Sequence, residues 1–196
     1  MRKASAFWPG GAEDLTSYAH LSIEVPKHEE GEKAVPPQIR CPGCGALVPD
    51  SEGPAHRYVG ASAGCWQLYG ELLAKEFSEP DYAALHQRTV DTYMVQHPGV
   101  DSPQSRQSVA VHLMSLCLQL EEGMAPERAT RALPHFTHRN YPWLTPPDHR
   151  GDVTVQDVLA ARTLAGHNER VQQWARSVWY AWAAYHNTVR RWLDLL

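Results

Sequence analysis

The chain has 196 residues, 43% of them apolar and with seven Trp and eight Tyr, which is ample material for one buried core plus extensions. Lys and Arg number 18 against 22 for Asp and Glu, a formal charge of −4, with no long basic run and no Lys after Lys75. That balance excludes a general nucleic-acid surface, and no segment approaches the ~18 unbroken apolar residues of a membrane span. The opening Met1-Arg2-Lys3-Ala4-Ser5-Ala6-Phe7-Trp8-Pro9-Gly10 lacks the apolar stretch of a signal peptide, so a cytoplasmic location is expected.

Residues 1–40 mix Pro, Gly, Glu and Lys and are expected to form an extension, partly disordered, with Leu21-Ser22-Ile23-Glu24-Val25 as a short alternating strand. The remainder, 41–196, is expected to be one domain of mainly α class, a helical bundle-like body behind a small N-terminal zinc knuckle. Residues 41–64 are rich in Gly and Pro and have room only for turns and short strands. Cys65–Phe77 then reads as an amphipathic helix ended by Ser78-Glu79-Pro80, and Asp81–Gln96 as a second helix stopped by His97-Pro98-Gly99. A third helix is predicted from Pro103, with Ser102 as N-cap, through Leu113 and Leu116 toward Gly123; its apolar middle suggests a central place. A short fourth helix covers Pro126–Leu133, before a loop with Pro134, Pro142, Pro146 and Pro147. A fifth covers Thr154–Ala165, capped by Thr154 with Asp157 three residues on, and one long last helix spans 167–195 with Trp174, Trp179, Trp182 and Trp192 packing along it.

The strongest chemical signal is Cys41, Cys44, His56 and Cys65. In Cys41-Pro42-Gly43-Cys44-Gly45 the glycines let the backbone turn so that both sulfurs face one point. His56 follows after a turn, and Cys65 opens a helix. In a reducing compartment a CxxC pair is a metal ligand set or a redox pair rather than a structural disulfide. Four such ligands close a tetrahedron and leave no position for a reacting water, so the expected cofactor is a structural zinc ion; Asp50 or a water is the alternative to His56 as fourth ligand. A thioredoxin-like redox reading is weaker, because no helix follows this CxxC. Cys117, inside Leu113-Met114-Ser115-Leu116-Cys117-Leu118, is expected to be a small buried hydrophobe.

Eleven histidines is a high count. On the second helix His86, Tyr93 and His97 fall on one face, whereas Asp91 is five residues from His86, roughly 140° round the helix, and is free to orient a histidine from elsewhere. On the third helix Ser108, His112 and Ser115 make a polar strip, and on the last Trp179, Trp182 and His186 share a face. One reading brings His86, His97, His112 and His186, with Asp91, into one internal pocket for a small molecule, for proton transfer or for a second divalent metal. The competing reading gives each histidine a separate structural partner. His135, His138 and His149 fall in the Pro-rich loop beside Tyr141 and Trp143, as part of a lid or simply solvated. No GxSxG, phosphate-binding Gly-rich loop or GxGxxG occurs, which leaves serine hydrolase, P-loop and Rossmann readings without support.

Taken in order, the CPGCG knuckle, Gly64-Cys65-Trp66, the segment His86–Pro98, Val111–Cys117, Gly151-Asp152-Val153-Thr154-Val155 and the ending Trp174 to His186 resemble a bacterial family of uncharacterised proteins, a domain-of-unknown-function family. The likeness covers roughly 41–192 and implies a domain boundary but no reaction. The DinB-like metal-binding bundles are a looser likeness. Their C-terminal His-x3-His pairing is absent here, so no ligand carries over. The expected function is therefore a zinc-binding protein with a His-lined pocket. The alternatives are an acid/base or metal-dependent enzyme using the helical histidines, and an adaptor presenting the knuckle and the aromatic last helix to a protein partner or, as the weaker choice, to DNA.

Overall fold

The computed structural model describes residues 37–54, 56–137 and 139–195. Of the expected extension 1–40, residues 1–36 with the strand at Leu21–Val25 lie outside them, as does His138, while Gln38–Arg40 form a strand. The described part has seven α-helices and one two-stranded ribbon. Strand β1 (Gln38–Arg40) pairs antiparallel with β2 (Leu47–Pro49), Ile39 opposite Val48, and the CxxC turn joins them. Gly45, at φ 74, takes the left-handed conformation that lets this turn close, with the Gly45 N–H on the Cys41 carbonyl (2.9 Å).

Helix α1 (Ala63–Ser78) starts two residues before the expected point, because the Ser62 hydroxyl caps it by accepting from the Cys65 N–H at 3.3 Å. The second helix is shorter than expected. Its opening is a 3-10 turn (Ala83–Leu85), wound tightly by Tyr82 N–H to Glu79 and Ala83 N–H to Pro80, and α2 proper is His86–Gln96. Helix α3 (Pro103–Leu120) has the expected Ser102 cap and Pro at its first position. It is central, touching α2 and, further on, α4 (Pro126–Phe136), α6 (Leu164–Ala181) and α7 (His186–Asp194); its Leu113, Met114 and Leu116 are fully buried.

Three helix ends differ from expectation, each for a tertiary reason. Helix α4 runs past Pro134 because Phe136 is buried and its carbonyl accepts from the Tyr141 hydroxyl at 2.8 Å. Helix α5 (Val155–Leu159) keeps the Thr154–Asp157 capping box but stops early: Lys75 Nζ donates to the Ala161 carbonyl at 3.0 Å, and Thr163 caps α6 by accepting from Gly166 N–H. The single last helix is two. The Trp179 carbonyl accepts from the Trp182 N–H (3.0 Å) and the His186 side chain (2.9 Å), which breaks the ladder, and a 3-10 turn (Ala183–Tyr185) turns the chain into α7. Trp174, Trp179 and Trp182 all face inward.

One buried side chain joins three parts of the body. Gln96, at the end of α2, donates to the carbonyls of Arg150 (3.0 Å) and Val153 (2.9 Å) and accepts from Trp174 Nε1 of α6 (2.8 Å). Gln96→Leu keeps the volume but orphans all three partners, and is expected to cost about 3 kcal/mol in denaturant unfolding with an unchanged denaturant slope. A loss under about 0.5 kcal/mol would show that these bonds are replaceable by water.

Candidate metal centre

Cys41, Cys44, Cys65 and His97 converge so that their ligand atoms all lie within 4.8 Å of one another. The CxxC turn supplies two sulfurs, the first turn of α1 supplies Cys65, and the residue closing α2 supplies His97. Cys44 Sγ is 3.9 Å from Cys65 Sγ, and Cys65 Sγ is 3.3 Å from His97 Nε2. Cys41, Cys65 and His97 are buried. His97 Nδ1 faces the Tyr93 carbonyl at 2.8 Å, and a carbonyl can only accept, so Nδ1 carries the proton and the Nε2 lone pair points at the sulfurs. The Tyr93 ring stacks on the His97 ring (centroids 4.0 Å apart), and its hydroxyl donates to Cys65 Sγ at 3.6 Å. Gly43 is needed for close approach, since a Cβ there would run into the His97 ring. Arg150 Nη1 clasps the turn from outside, on the carbonyls of Pro42 (2.9 Å) and Gly43 (2.7 Å).

Among themselves the three sulfurs favour a single charge. Hydrogen bonds from Cys44 and Cys65 pull the Cys41 thiol far down, bonding to that thiolate pushes Cys44 up to about 11, and for the same reason Cys65 rises well above the usual thiol range. A divalent cation among them would let all three ionise, so the donor set fits a thiolate-binding metal such as zinc.

Residues 39–183 match the model of a family described as Family of unknown function (DUF5946). The chain belongs to that family. The span opens in β1 and contains all four donors. No curated protein and no solved structure matches the chain.

In this DUF5946 chain the residue that gathers with the three sulfurs is His97, and the expected His56 does not join them. The His56 ring instead packs edge-on against Tyr58 (4.1 Å) and near Trp66 (5.5 Å), and Asp50 is exposed. The four helical histidines do not share one cavity. His97 joins the sulfurs. His86 Nδ1 meets Glu76 Oε2 at 2.8 Å. His186 stacks on Trp179 and bonds its carbonyl. His112 Nδ1 meets Asp91 Oδ1 at 2.7 Å, so Asp91 orients a histidine of the neighbouring helix. Among the described residues no second group of His, Cys, Asp and Glu gathers as the first does. Cys117 is buried, its thiol near Glu121. His135 is exposed, and His149 pairs with Asp152 in solvent at 2.9 Å.

Sequence reasoning missed Glu76. It lies one turn after Leu72 on the buried face of α1 and is itself fully buried, receiving Thr89 Oγ1 at 2.6 Å and His86, with His167 Nε2 at 3.2 Å. The only hint was that position, i+4 from a core leucine. Burial alone would raise its pKa, but His167, His86 and Thr89 together outweigh burial and hold the carboxyl below its ordinary 4.5. A lowered folded pKa stabilises the fold above the unfolded value, and that contribution is lost as pH falls through the folded one. Glu76→Gln is therefore expected to cost roughly 2 kcal/mol at pH 7, with the gap to the natural chain closing below about pH 4.5. A gap independent of pH would show that the carboxylate charge is not what stabilises this cluster.

Proposed function

We propose that the chain is a cytoplasmic zinc-binding protein in which a closed Cys41–Cys44–Cys65–His97 centre is structural, joining the N-terminal ribbon to the helical body. The observation that carries this reading is the spacing of the donors. Tetrahedral zinc, with Zn–S of about 2.3 Å and Zn–N of about 2.0 Å, sets its sulfurs about 3.8 Å apart and a sulfur about 3.5 Å from the nitrogen. The corresponding distances here are 3.9 and 3.3 Å. Thiolate and imidazole donors suit zinc and disfavour magnesium or calcium. Four protein donors leave no position for a substrate water, which distinguishes a structural from a catalytic site. All four cysteines are free, in keeping with a reducing compartment.

What such an ion would hold together is explicit in the chain. Residues 37–62 contribute two three-residue strands and coil, too little to be stable alone. Zinc binding of this type is worth about 10–16 kcal/mol in isolated finger peptides, more than enough to order such a segment. The reading predicts one zinc per chain by elemental analysis for the natural sequence and for His56→Ala, and loss of the zinc in Cys44→Ser and His97→Ala. Zinc should also leave as pH falls, because protons compete for the thiolates and for His97 Nε2. Zinc retained by His97→Ala and lost by His56→Ala would overturn the assignment.

A further inference from the structure

A second polar constellation lies away from the sulfurs. Asp91 is fully buried in mid-α2, and both of its oxygens are saturated. Oδ1 accepts from Gln87 Nε2 (2.8 Å) and His112 Nδ1 (2.7 Å); Oδ2 accepts from Ser115 Oγ (2.6 Å) and Gln119 Nε2 (2.7 Å). Gln119 is itself held through its oxygen by Arg88 Nε at 3.1 Å. A carboxylate placed in an interior only to fill space gives no stability that an apolar side chain would not. Here it does something an apolar residue cannot: it fixes the ring and the tautomer of His112. With the proton on Nδ1, the Nε2 lone pair is presented outward, and among the described residues Nε2 has no protein partner.

His112 borders a groove of about 260 Å³, together with Tyr58, Gln104, Gln107, Ser108 and Thr137. Val111 and the Tyr58 ring make much of its surface apolar, with the amides and hydroxyls set among them, and among the described residues it carries no Lys, Arg, Asp or Glu. It therefore suits a small uncharged molecule that hydrogen-bonds, and offers nothing to balance a phosphate or carboxylate. Among the described residues a metal has no second strong ligand there.

We propose that this groove binds a small uncharged acyl compound and that His112 is the general base activating a water against it, with Asp91 as positioning residue. In the step, a water O–H bond breaks and its proton passes to His112 Nε2. The oxygen's electron pair forms a bond to the acyl carbon, and the bond from that carbon to the leaving oxygen breaks, carrying its electrons away. The imidazolium so formed keeps its Nδ1–H on Asp91, whose charge stabilises it, and returns the proton to solvent or to the leaving group. The inference does not depend on which metal the cysteines hold.

The test uses the full-length, metal-loaded chain and p-nitrophenyl acetate, followed by release of p-nitrophenolate. His112→Gln is partly exposed and should fold; thermal melting checks that it does. Its rate is expected to fall about 100-fold or more, toward background. Asp91→Asn should lower kcat with little change in KM, a split that general loosening of the groove would not produce. His149→Gln removes a solvent-exposed histidine that also pairs with a carboxylate, and should leave the rate unchanged. The proposal is overturned if the natural chain shows no turnover, if folded His112→Gln is as fast as the natural chain, or if the loss appears in His149→Gln instead.

Discussion

The approach of His97 to three sulfurs is the contact on which the N-terminal part of the described chain depends. The ribbon and the coil after it bury Cys41, Val48 and Val59, and contact with the end of α2 helps to position them, beside the Gln156 side chain on the Leu47 carbonyl. Next to His97, the Gly60 N–H donates to the His97 carbonyl (2.8 Å) and Val59 bridges Pro98, so the coil follows the same turn that presents the imidazole. Gly43 lets the CxxC turn lie against the imidazole ring, and Arg150 closes over it from the far side.

How much of this was legible depended on whether the determining interaction was local. Ser102 before Pro103 and Thr154 with Asp157 were read correctly because a cap acts within one turn. Cys41, Cys44 and Cys65 were readable for the same reason, two on one turn and one at a helix start. The fourth donor was not. His56 is nearer in sequence, but which histidine meets the sulfurs is set by where α2 ends in space, and that brings His97 beside them. The breaks after α5 and α6 were hidden likewise. They come from Lys75 reaching the Ala161 carbonyl and from His186 competing for the Trp179 carbonyl, neither of which has a local sequence signature.

The buried polar groups follow one rule with different outcomes. Glu76, Asp91 and Gln96 are each fully buried and each fully bonded, as the cost of an orphaned interior group requires. Gln96 and Glu76 spend their bonds inside the body, joining elements. Asp91 differs because one of its four donors is an imidazole that borders a surface groove. The angular argument from sequence had already separated Asp91 from His86, leaving it to serve a histidine on another element, and α3 supplies it. The histidine count was thus a poor guide to a shared site, since the four candidates have four different partners.

The metal centre and the groove are not mechanically independent, because α2 carries both. Asp91 and His97 are six residues apart at the end of α2, about 9 Å along the axis, with the Tyr93 ring stacked on the imidazole and on Tyr69 of α1. A helix of this length is rigid over that distance, so anchoring its end at the sulfurs also sets the axial position of the carboxylate that aims His112. The other side of the groove is tied to the same anchor. Tyr58 precedes Val59 and Gly60, the two residues bonded to the Pro98–His97 turn, so the tyrosine that walls the groove is placed by the coil that the centre orders. A cluster of side chains at the end of one helix can in this way determine the shape of a second site without touching anything bound there.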